Sequence, residues 1–82
     1  MAYSLQVYIN ANLSISDLER RVKNLEPLIR VNLKDYYDIK RAMDNFEYGQ
    51  MKLKEIQAVL DDLREDATNL ITIIELKKAG EL

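Results

Sequence analysis

The sequence predicts an all-α fold: a long antiparallel helical hairpin with a short N-terminal β-strand or extended arm, dimerising into a four-helix bundle. Three observations lead there. Two long stretches carry apolar residues at alternating steps of three and four, the spacing of one helix face. A single glycine-containing segment between them breaks the phase. The chain also holds more apolar side chains than two helices can cover.

The arm comes first. In "YSLQVYINANLSI" (3–15) the odd positions Tyr3, Leu5, Val7, Ile9, Ala11, Leu13 and Ile15 are apolar or small, and the even positions are polar or amphipathic. That period of two is the signature of a strand with one dry face. Asn10 and Asn12 are poor strand formers, so the strand is expected over 3–9. A lone strand is unstable in water and its open edges invite another chain, which makes Leu5, Val7 and Ile9 association residues.

The first helix is expected over about 16–46. Its seam runs Ile15, Leu18, Val22, Leu25, Ile29, Asn32, Tyr36, Ile39, Met43, Phe46, with Asn32 alone departing from the apolar rule. Two N-terminal signals compete: a capping box from Ser16 to Glu19, or Ser14 with Asp17 and a staple of Leu13 on Leu18. Pro27 lies inside the seam and predicts a kink there rather than a break. Asn32 either fixes register against its own copy or satisfies a carbonyl that the proline frees. Gly49 reads as the residue past the helix end, where positive φ is needed.

The second helix is expected over about 50–79, with the seam Leu53, Ile56, Leu60, Leu63, Ala67, Leu70, Ile74. Lys77, Lys78 and Gly80 mark its end. Around Leu70–Leu76 the helix is apolar on nearly every side, so Leu70, Ile71, Ile73 and Ile74 join the association set. One neighbouring helix cannot cover such a surface, whereas a four-helix bundle from two hairpins can.

The 82 residues make a single domain, 1–82, with a thin core. There is no Cys and no His, which removes disulfides, thiolate metal sites, the commonest metal ligand and the commonest general base. Of the usual aids to a small scaffold, oligomerisation remains. No cofactor is expected and no catalysis. Neither a membrane span nor a secretory signal is visible, so the expected location is the cytoplasm.

Charge gives few leads. Glu55, Asp61, Asp62, Glu65 and Asp66 face only Arg64, an acidic segment that reads as a solvated helix face. Basic residues of the first helix alternate with acids, as in Glu19–Lys23, Glu26–Arg30 and Lys34–Asp38, the pattern of an exposed salt-laced surface. Tyr37 lies about 100° around the helix from the seam residue Tyr36. It joins Asp61, Asp62, Glu65 and Asp66 as a candidate partner contact, tyrosine being enriched at interfaces.

These features point to a non-catalytic protein–protein interaction module, an adaptor, inhibitor or assembly factor, whose partners are its own copy and another protein. The alternative partner is nucleic acid. A strand followed by helices, carrying Ser4, Gln6, Tyr8 and Asn10 on its outward face, distantly resembles the ribbon-helix-helix repressors over the first half of the chain. The resemblance implies a dimer whose paired strands read base edges. The sequence departs from it in having no Arg or Lys among those four residues, Glu26-Pro27 where a glycine turn is expected, and an extra long helix.

Overall fold

The computed structural model describes residues 4–82. Among these residues the chain is all-helical, with α1 at Leu5–Ala11, α2 at Ile15–Met43 and α3 at Glu47–Lys78. α2 and α3 pack along one another as the two arms of a hairpin, in a rod of 51 × 19 × 16 Å.

The seams face inward as their periodicity predicts. Leu18 is fully buried, and the other α2 seam residues through Met43 are half-buried. On α3, Leu60, Leu70 and Ile74 are buried and Leu53, Ile56, Leu63 and Ala67 are half-buried. Phe46 departs from its seam, because α2 stops at Met43 and leaves Phe46 exposed in the turn.

Of the two start signals for α2, the chain uses Ser14. Its Oγ accepts a hydrogen bond from the Asp17 amide at 3.1 Å, and Leu13 packs against the core cluster that holds Leu18. Ser14→Ala is expected to cost about 1 kcal/mol, the usual worth of such a cap. The check is a lower urea midpoint with an unchanged slope.

α2 runs helical through Pro27 without a break. The carbonyl that proline leaves unbonded is that of Lys23, four residues back. Asn32 Nδ2 instead donates to the Leu28 carbonyl at 2.8 Å, so its amide serves its own turn and not the proline.

The end of α3 also follows its signal. Gly80 adopts φ +78°, its amide bonds the Lys77 carbonyl at 3.2 Å, and the Glu81 amide bonds that of Leu76 at 2.9 Å. This pair of bonds is a Schellman stop. Gly49 is different. It is helical, buried in the first turn of α3, and is needed for close approach rather than for positive φ.

The N-terminal strand expected over 3–9 is corrected: residues 5–11 form a helix, and Tyr3 lies outside the described residues. Ser4 caps it, accepting from the Val7 amide at 3.3 Å, and Asn12 ends it in the left-handed conformation at φ 50°. The physical reason is Tyr8. Leu5, Tyr8 and Ile9 stand at i, i+3 and i+4, and together they form an apolar stripe that only a helix brings to one side.

Candidate association surfaces

α1 makes one end of the rod three helices thick. Tyr8, Leu18, Leu70, Ile73 and Ile74 form a buried cluster, against which Leu5, Ile9, Leu13, Ile15, Val22 and Leu25 pack. Tyr8 is 3% exposed, and its hydroxyl donates to Asp66 Oδ1 on α3. A buried phenol needs such an acceptor, since an unmet hydroxyl in the core is costly.

This end absorbs most of the residues expected to associate. Leu70, Ile73 and Ile74 lie in the chain's own core, and Leu5 and Ile9 pack beside them. Val7, at 47%, and Ile71, at 45%, are the two left exposed. Asp66 likewise holds α1 in place rather than facing outward. Tyr8→Phe is expected to cost about 1–2 kcal/mol, in the range for a hydrogen bond to an ionisable acceptor. Amide exchange should accelerate in residues 5–11 more than in the middle of α3, and unchanged protection there would mean that apolar contact alone seats α1.

The other candidate contacts sit apart. Asp61 accepts from Gln57 Nε2 at 2.8 Å, Glu65 is exposed and Asp62 is half-buried. No three His, Cys, Asp or Glu residues among the described ones are grouped closely enough to hold a metal ion. Tyr37 is exposed on α2, with its ring edge-on to Tyr36 at 5.6 Å between centroids.

Residues seven apart follow one line along a helix, so the seams divide the rod into two edges. On the first edge lie Arg21, Leu28 and Asp35 of α2 with Val59, Asp66 and Ile73 of α3. α1 covers one end of this edge, through Tyr8 on Asp66 and a small cleft that Tyr8 shares with Arg21. On the second edge lie Glu19, Glu26 and Leu33 of α2 with Arg64, Ile71 and Lys78 of α3. Lys78 Nζ stands 3.9 Å from Glu19 Oε1, which ties the two lines to the same side.

Among the described residues the second edge is uncovered and grooved. A cavity of about 400 Å³ is lined by Val22, Ile29 and Leu33, with Ala67 as its small floor residue on α3. Glu26 and Arg30 form its rim, paired at 2.8 Å. Sequence reading missed this groove, although one signal was present: Ala67 is the only small side chain in the α3 seam and leaves space where its neighbours in the seam are Leu or Ile.

The fold thus defines a helical hairpin with an N-terminal helical strap. No helix among the described residues is long and apolar enough to cross a membrane. No family model matches the chain, and neither a curated protein nor a solved structure matches it.

Proposed function

We propose that the protein is a non-catalytic protein–protein interaction module of the cytoplasm, an adaptor, inhibitor or assembly factor, acting as a homo-oligomeric helical bundle and in the first place as a homodimer. One observation carries this reading. Away from the end that α1 covers, the hairpin leaves its seam half-buried except at Leu60 and exposes Leu28, Val31, Met51 and Val59 to about half their area, and at the α1 end Ile71 is exposed as well. A rod of two helices has no third layer with which to cover them, and a second hairpin supplies one.

The absence of His and Cys from the sequence supports binding rather than catalysis. The nucleic-acid alternative is less well supported, because the segment meant to pair as a ribbon is helical and its Gln6 amide donates to Asn10 at 2.9 Å. The test is molar mass by light scattering across a range of concentrations, with thermal melts at each. A dimer whose melting temperature rises with concentration supports the reading. A folded monomer with a constant melting temperature rejects self-association.

A further inference from the structure

We propose that α1 is a hinged strap with two helical positions: folded back on α3, where Tyr8 meets Asp66, and straightened into one continuous helix with α2. Straightening uncovers the apolar end of α3 while the hairpin stays folded. The device is internal to one protomer and does not depend on the self-association proposed above.

The sequence carries the second position through the bend. Tyr8, Ala11, Ile15, Leu18, Val22 and Leu25 step three, four, three, four and three. The α2 seam thus continues in phase across residues 12–14 and into α1. A link that served only to reverse the chain would need no such phase. Asn12, Leu13 and Ser14 include neither Gly nor Pro, so each can join a helix.

Two local features hold the bend instead. Asn12 sits at φ 50°, a left-handed conformation that residues other than Gly and Asn rarely adopt. Ser14 Oγ caps α2 by accepting from the Asp17 amide. Asn12 and Ser14 are exposed, and of the three link residues Leu13 alone packs against the core cluster.

The strap's hold on α3 is narrow. Tyr8 is its one buried residue, and Leu5 and Ile9 are half-buried beside it. A seven-residue helix that simply detaches loses its helical form. As a continuation of α2 it keeps that form, because extending a helix needs no new nucleus. Straightening exchanges the burial of Tyr8 for three further helical residues and release of the left-handed turn. The result is two discrete positions rather than a frayed end.

Ile73 reports the opening. It is fully buried in the cluster that Tyr8 closes. The chain has no cysteine, so Ile73→Cys places a single thiol there, whose labelling rate follows the open population. Leu60→Cys reports unfolding of the hairpin itself, since Leu60 is buried outside that cluster. Ile73→Cys should label at least about tenfold faster than Leu60→Cys, as expected of a unit that opens below the global unfolding free energy. Its rate should not change with protein concentration.

Asn12→Ala with Ser14→Ala should raise the Ile73→Cys rate by about 20-fold, roughly fivefold from each, with helix content by circular dichroism retained. Asn12→Gly keeps the left-handed turn and weakens a continuous helix, so it should not raise the rate. Spin labels at Gln6→Cys and Glu65→Cys, both exposed, give a second reading that leaves the core intact. Their separation should show two distinct distances in the Asn12→Ala, Ser14→Ala background.

Equal labelling at positions 73 and 60 overturns the strap, because α1 then leaves only when the hairpin unfolds. Acceleration by Asn12→Gly as large as that by Asn12→Ala overturns straightening, since loose detachment needs no helix across the link. A single short distance in the Asn12→Ala, Ser14→Ala background overturns it as well. A labelling rate that changes with protein concentration overturns a device internal to the protomer.

Discussion

Gly49→Ala should lower the melting temperature by more than about 12 °C, although the substitution adds one methyl group and raises helix propensity. A Cβ built on Gly49 lies 2.6 Å from the carbonyl carbon and 2.7 Å from the Cβ of Met43, with the carbonyl oxygen closer still. Those atoms are backbone or fixed to it, so no side-chain rotation relieves the clash. The turn is only Asp44-Asn45-Phe46, and it is pinned on both sides. The Phe46 amide bonds the Met43 carbonyl at 3.0 Å, and Gln50 Nε2 bonds that of Asp44 at 3.2 Å.

To admit a methyl group the two helices must separate at their joined ends, which loosens the seam above them. Overpacking in a well-fitted site costs about 1–3 kcal/mol and sometimes more. The rigid neighbours place Gly49 at the upper end, and 3 kcal/mol in a domain of this size corresponds to a shift of about 12–24 °C. A thermal melt checks it. Had Gly49 served as a positive-φ cap, Gly49→Asn would be tolerated. With close approach as its role, Asn is worse than Ala.

Most of the hairpin was legible in the sequence because its information is local and repeated. Each seam residue is one of several that agree on a period, and each helix end carries its own signal, as Ser14 and Gly80 show. α1 and Gly49 were misread for a common reason: what decides each lies in another element. A helix of seven residues has little stability alone, and α1 forms because Tyr8 reaches Asp66, 58 positions along the chain.

Nothing within residues 3–15 reveals that contact. With Tyr8 assigned to the polar row, the alternation reads as a strand; with Tyr8 assigned to the apolar set, Leu5, Tyr8 and Ile9 read as a helix. Gly49 likewise has two uses for its missing Cβ, and only the proximity of Met43 distinguishes them. The candidate site followed the same division. Ile71 was legible as an apolar residue without a place in the seam, whereas the groove beside it arises from Ala67 lying across from Val22 and Ile29.

Leu70→Ala should have an effect as large as Gly49→Ala, for a different reason, and the comparison tests where the chain is self-sufficient. Leu70 is 1% exposed and lies in the cluster with Tyr8, Leu18, Ile73 and Ile74. Truncating a leucine at such a site costs about 2–5 kcal/mol, through lost burial and the cavity left behind. An 82-residue domain has about 4–12 kcal/mol in all, so the variant loses a large share of its stability.

Every contact of Leu70 in this cluster is made within the protomer, because α1 supplies the third layer at this end. Its penalty in a urea melt should therefore be the same at micromolar and at hundred-micromolar protein. The penalty at Ile71, which is 45% exposed beside this cluster, should grow with concentration under the self-association proposed above. Equal concentration dependence at the two positions would mean that α1 and the second hairpin share one interface. Independence at Leu70 with dependence at Ile71 would separate the strapped edge, which the chain covers itself, from an edge covered only on association.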